Sequence, residues 1–382
     1  MMPRTQKSLN PGRLKDKHEN NLQPAVPSEA AGLIVREHVP ENLEFPFPSL
    51  NTVLTANESF YVRSHFSNPE IDLKKWRLEI GGEVERPFQL SYDELIKLPS
   101  ATVTALMECA GNGRIFIPSK QEGVQWGPGA VGAAEWTGVW LRDLLDRAGV
   151  CDGAREIVLE GADCGALDKE PKTPGKIHYS HSVPIEKARQ NVLLAYKMNG
   201  ENLSASHGFP LRAVVPGWYG MAAVKWLTRI TVTRETFTGY FQTADYSYWA
   251  NENGLPPQMK PVTEIEVRAQ IARPAMHEVV PADSTYVIRG AAWSGEAKIK
   301  TVELSVDAGK IWKPVKLKTE PVQYLWTLWE YEWHTPKTSE GCTLMVRATD
   351  ESGKTHPTKH DDARGGYMAN FIVPVPVKMR SG

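Results

Sequence analysis

The proline linker Gly254-Leu255-Pro256-Pro257 divides this chain, because the hydrophobic period differs on its two sides. Beyond it, Thr285 to Trp293, Val302 to Val306, Leu325 to Trp333 and Cys342 to Thr349 read as short strands between turn residues. Val302, Leu304 and Val306 alternate with Glu303, Ser305 and Asp307, and Trp329, Tyr331 and Trp333 alternate with Glu330 and Glu332. A period of two sends one set of side chains to a buried face and the other to water. Asp307-Ala308-Gly309 supplies a tight hairpin connection. About seven strands in roughly 120 residues, with no helical period, predict an Ig-like β-sandwich over 256–382. Such a module supports or interacts, and self-association into a homodimer is its simplest use.

Upstream, over 36–255, strands and helices are interleaved. Trp76-Arg77-Leu78-Glu79-Ile80 alternates as a strand and meets a turn at Gly81-Gly82. Ser91-Tyr92-Asp93-Glu94 is a capping box for a short helix that stops at Pro99. Val103 to Met107 reads as a buried strand. After Thr137, Leu141, Leu144, Leu145 and Ala148 share one helical face, closed by Gly149. Glu156 to Asp163 and Val192 to Tyr196 read as strands, with Pro184 opening a helix through Ala188. These elements keep no regular β-α-β register, so the expectation is a mixed α+β domain rather than a doubly wound sheet.

The 44 Lys+Arg balance 45 Asp+Glu, giving −1, which argues against a nucleic-acid-binding surface. The four cysteines, Cys109, Cys151, Cys164 and Cys342, show no paired or zinc-type spacing. No apolar run is long enough for a membrane span. Residues 1–35 read as a polar, extended leader without the apolar core of an export signal, so cytoplasmic residence is expected.

Chemistry concentrates in Met107-Glu108-Cys109-Ala110-Gly111-Asn112-Gly113-Arg114. A cysteine that leaves a strand at a glycine-flanked turn is held rigidly. Its thiolate would suit a soft, sulfur-rich metal, and Arg114 would lower its pKa and draw an anion. A packed core cysteine is the plain alternative. Ser206 to Thr233 is similarly dense: His207, Arg212 and Lys225 converge among glycines and could form an anion pocket, although Walker spacing is absent.

These segments resemble the sulfite oxidase family of molybdopterin enzymes. The likeness rests on MECAGNGR, the Trp126 loop through Glu135-Trp136-Thr137-Gly138, AYKMNG at 195–200, and HGFPLRAVVPGWYG followed by AVKW. RGAAWSG at 289–295 and VELSVD at 302–307 extend it into the second half. It spans roughly residues 40 to 375 in order. It implies a molybdenum-molybdopterin cofactor with Cys109 as the metal ligand. Tyr61, Val62, Arg63, Ser64, His65, Asp163, His207, Arg212, Ala223, Val224 and Lys225 fall on pterin-contacting positions. Arg63, Arg114 and Arg364 match the arginines of an anion pocket walled by Trp126, and Tyr246 matches the tyrosine beside the reactive oxygen. The family usually has Trp-Asn before the position of Arg364, where this chain has Asp362-Ala363. Gly113 stands where animal and plant members commonly have arginine, which would alter pocket charge.

The resemblance implies oxidation of sulfite to sulfate, with electrons passed to an external acceptor such as cytochrome c. Arginine suits a small oxyanion because it stays charged and offers a planar donor fork. At an effective dielectric near 20, one cation at ~4 Å attracts a unit charge by about 4 kcal/mol before desolvation is subtracted. Sulfane oxidation and nitrate reduction are sister possibilities. A thiol hydrolase on Cys109, or a cofactor-free scaffold or adhesion protein built on the sandwich, belongs to a different class.

Overall fold

The computed structural model describes residues 32–250, 256–338 and 340–380. Residues 1–31 of the expected leader and Gly254-Leu255 of the linker lie outside that range. The leader ends earlier than expected, because Ile34–Glu37 is already a strand paired with Asn42–Glu44.

Two five-stranded sheets build the first half. In one, Ala101–Glu108 pairs antiparallel with Val131–Trp140, which pairs with Leu193–Met198; that strand also carries Glu201–Asn202 and Arg212–Val214. The other runs Phe88–Leu90, Leu78–Gly82, Leu227–Thr233, Glu156–Gly165 and Ile177–Pro184, with one parallel pairing, Leu227–Thr233 on Leu78–Gly82. Gly81 and Gly82 therefore continue a strand against Thr231 and Val232 and make no turn. A methyl on Gly82 would lie 2.1 Å from the Val232 carbonyl oxygen, so that close pairing requires glycine.

The helices follow local chemistry. Ser91 and Glu94 form the reciprocal capping box. Helix Leu141–Ala148 buries Leu141, Leu144, Leu145 and Ala148 and ends at left-handed Gly149. Its N-cap is Trp140, because Thr137 belongs to the preceding strand. Pro184 is likewise the last strand residue and the N-cap of helix Ile185–Asn191.

The second half is β-rich. A four-stranded sheet (Arg268–Arg273, Thr285–Trp293, Thr327–His334, Lys316–Leu317) faces a five-stranded one containing Ile299–Ser305, Cys342–Asp350 and Val375–Arg380. Ile288, Ala292, Val302, Leu304, Trp329, Leu344 and Val346 fill the space between them. The Asp307 hairpin is wider than a tight turn, since its innermost strand pair is Leu304 and Lys313. The Asp307 carboxylate gathers the N–H groups of Lys310 and Ile311 and the Ser305 hydroxyl. One hydrophobic core runs through both halves: Trp293 and Trp326 pack edge to face at 6.3 Å and join the cluster that holds Leu78 and Leu141. Among the described residues no helix is long and apolar enough to cross a membrane.

Candidate active site

Cys109 directly follows strand Ala101–Glu108, and its N–H donates to the Ala130 carbonyl at 2.9 Å, extending the strand pairing. Asn112 then closes the turn. Its N–H donates to the Cys109 carbonyl (2.9 Å), and its side-chain oxygen accepts from Ala130 N–H (3.1 Å). Gly113 takes φ +80, a conformation that favours glycine. Arg114 folds back over Gly111, donating through Nε to the Gly366 carbonyl and through Nη1 to that of Val124. Burial pushes the Cys109 thiol up, opposed first by Arg63 and less by Arg114. The Gly111 N–H ranks between the two arginines, so Arg114 is the weakest of three opposing influences, and burial outweighs them.

The sulfur lies between two cavities. Tyr61, Val62, Ser64, Asp163, His207, Arg212, Ala223 and Lys225 line the first. Val224 does not; its side chain packs in the core, and its carbonyl accepts from Ala213 N–H. His207 is placed by Ser204, which caps the 3-10 turn Ala205–His207. The Arg212 guanidinium donates to the carbonyls of His207 and Ala223 and sits 5.0 Å from the Trp136 ring centroid. Lys225 Nζ donates to Ser64 Oγ (2.8 Å) and to the Ser206 carbonyl (2.9 Å). Arg212 is buried and Lys225 half-buried, and neither forms an ion pair among the described residues. Burial, reinforced by Arg212, lowers Lys225 to about 7. Burial raises Asp163, whose Oδ1 has no hydrogen-bond partner. One buried and one half-buried cation without a carboxylate, beside an orphaned carboxylate oxygen, form a cradle for a ligand that is anionic at one place and donates hydrogen bonds at another.

The second cavity, of about 230 Å³, opens outward and is lined by Arg114, Trp126, Lys169, Tyr240, Asp245 and Tyr367, among others. Trp126 is fully buried and packs edge to face on Tyr61. Arg364 does not reach this cavity. Its guanidinium turns to Glu266, to which Nη2 donates (3.3 Å), and pairs in charge with Asp361 (3.5 Å), although Nε has no hydrogen-bond partner. Lys169 stands at the mouth instead, within 3.6 Å of Asp245 and 3.7 Å of Glu122. Nor does Gly113 set the charge here: a Cβ on it would point at Arg268 Nη2, 2.5 Å away. Arg63, His65, Cys109 and Tyr246 line both cavities and form the wall between them.

Sequence reasoning missed Tyr179, which stacks on His65 at 4.5 Å and donates to the Met221 carbonyl, and Lys169 and Tyr367 in the outer cavity. Tyr367 follows Arg364 by three residues and was within reach of the same motif. Lys169 sits in a polar loop and gives no signal.

Residues 65–241 match the oxidoreductase molybdopterin binding domain, and residues 259–379 the Mo-co oxidoreductase dimerisation domain. The cradle fits that cofactor: Arg212 and Lys225 suit its phosphate, Asp163 its ring N–H groups, and the lone Cys109 sulfur a metal whose other soft ligands come from the pterin. A molybdenum oxidoreductase is therefore the class to which this scaffold and site belong. Sulfite oxidase of Gallus gallus is 33% identical over 87% of this chain and 74% of its own length. Mitochondrial sulfite oxidase of Mus musculus is 32% identical over 89% of this chain and 65% of its own. The chain belongs to the sulfite oxidase family, and it spans less than two thirds of the mammalian proteins it matches. The structure of the sulfane dehydrogenase SoxCD from Paracoccus pantotrophus superposes with a TM-score of 0.78 at 26% identity, covering 98% of this chain and 93% of that one.

Proposed function

We propose that the protein oxidises sulfite to sulfate, taking the added oxygen from water and releasing two electrons and two protons to solvent and an external acceptor such as a c-type cytochrome. The observation that carries this reading is the shared wall. Arg63, His65, Cys109 and Tyr246 face the cofactor cradle on one side and a cationic cavity open to solvent on the other. Molybdenum held by the Cys109 sulfur would supply the oxygen-atom transfer, and the chain supplies binding, orientation and proton handling.

Arg63 is held by the Asn42 side chain and the Ser64 carbonyl, and Arg114 by two main-chain carbonyls, so both guanidiniums are pre-oriented before an anion arrives. Trp126 and Tyr61 exclude water beside them, which strengthens the attraction. The Tyr246 hydroxyl, shared with neutral His65, can hold a proton next to the reacting anion. The C-terminal half is read as an Ig-like sandwich through which two copies pair. The likeness to SoxCD favours one second reading, oxidation of a sulfane sulfur presented on a carrier.

Steady-state turnover with sulfite, using cytochrome c or ferricyanide as acceptor, tests the proposal, with nitrate and reduced viologen as the reverse-direction control. Sulfite turnover that disappears in Cys109→Ser is expected. A wild-type protein that carries molybdenum yet leaves sulfite unchanged would overturn it.

A further inference from the structure

Glu108, the residue before the cysteine, is a fully buried carboxylate whose partners come largely from the second half of the chain. Its Oε1 accepts from Arg268 Nη1 (2.9 Å) and from Asn112 Nδ2 (2.9 Å), and its Oε2 accepts from Trp293 Nε1 (2.8 Å). Arg268 and Trp293 are register partners on adjacent strands of the four-stranded sheet, so one cross-strand pair presents both donors. Arg268 Nη1 also donates to the Asn112 carbonyl at 3.0 Å. Its Nη2 occupies the space that a side chain on Gly113 would need. The guanidinium thus holds the cysteine turn at Glu108, Asn112 and Gly113, on both sides of the sulfur in sequence. Neither Arg268 nor Trp293 lines either cavity at Cys109.

We infer that Arg268, seconded by Trp293, is a positioning residue: the second half of the chain fixes the direction in which Cys109 presents its sulfur to the metal. The inference rests on the reading of Cys109 as the molybdenum ligand. Physically, a turn closed only by its own backbone would let the thiolate rotate about the strand end. A buried bidentate carboxylate bonded from outside the turn removes that freedom, as supporting hydrogen bonds do at other metal sites. Removing Arg268 would leave the Glu108 charge buried and partly unpaired, so the turn would rearrange to hydrate or reorient it.

The test uses full-length protein purified with its cofactor, as wild type, Arg268→Met, Arg268→Lys and Trp293→Phe. Each is measured for molybdenum content, for the thiolate-to-molybdenum charge-transfer absorption per bound metal, and for kcat and KM. Arg268→Met is expected to shift that absorption and lower kcat per bound metal by about tenfold, with KM within about twofold. Arg268→Lys should restore part of both, and Trp293→Phe should move the band in the same direction by less. An unaltered band and kcat per bound metal in Arg268→Met, with only its metal content or melting temperature reduced, would make Arg268 merely structural. Should Arg268→Met not fold, Trp293→Phe decides, because it deletes the N–H that bonds Glu108 and keeps a smaller aromatic side chain in the core; an unmoved band there overturns the inference. Absence of the band from wild type would instead remove Cys109 as ligand, and this inference with it.

Discussion

His65 Nε2 lies 2.6 Å from the Tyr246 hydroxyl, and this pair forms part of the wall between the two cavities. Burial, with Arg63 and Lys225, holds His65 well below its ordinary pKa, and burial holds Tyr246 well above its own, so both are neutral across the working range. The hydroxyl is therefore a proton-bearing group with one fixed partner. Tyr246→Phe keeps the ring against His65 and Tyr367 and removes only that group. We expect kcat to fall about a hundredfold while KM changes by less than about threefold. Steady-state kinetics decide, and an unchanged kcat would leave the hydroxyl without a catalytic duty.

Cys109→Ser changes little in volume and keeps the backbone bonds of Cys109 and Asn112. Oxygen is a poor ligand for a soft, sulfur-bound metal. Turnover should drop by at least about a hundredfold, with the melting temperature within a few degrees of wild type. Retained sulfite turnover would sink the role given to this sulfur.

Arg364 and Lys169 separate the motif from the geometry. Because Arg364 is engaged by Glu266 and Asp361, Arg364→Ala should leave the KM for sulfite within about twofold. Lys169→Ala should raise it about three- to tenfold at low ionic strength, and the difference should shrink as salt screens the half-exposed ammonium. The opposite ranking would return Arg364 to the anion pocket.

Acid should destabilise the protein through His181 and His356, both buried. Burial lowers their pKa values to about 4 and about 3, below an unfolded value near 6.5. Groups depressed in the fold contribute stability above the unfolded pKa, which is lost as pH falls from about 6.5 toward 3. The two depressions together correspond to a loss of at most about 8 kcal/mol. Melting temperature against pH should slope across this window, and His356→Gln should flatten it; an unaffected slope would show that the imidazole is not charging.

Local chemistry was legible wherever neighbours in sequence are neighbours in space. The Ser91 capping box, the Leu141–Ala148 helix with its Gly149 stop, and the alternation around Val302 and Trp329 all carry their own period. Strand Val131–Trp140 was not legible, because it is buried on both faces and small residues interrupt any alternation. The site divided in the same way. The resemblance gathered most of the inner cavity, since Tyr61 to His65 and His207 to Lys225 are compact motifs. Lys169, and the turn of Arg364 toward Glu266, depend on where loops land. Arg268 touches Glu108 across 160 positions, a partnership no local pattern reports.

That long-range tie bears on how such chains can be recombined. The turn at Cys109 is completed by a residue pair from beyond the proline linker, so the seam between matched halves lies inside the protein rather than at the linker. A chimaera grafting another relative's C-terminal half onto this one would have to transplant positions 108, 112, 113, 268 and 293 as one unit. Exchange at the linker alone would keep this turn only where the incoming half brings an arginine and a tryptophan to bond the Glu108 carboxylate.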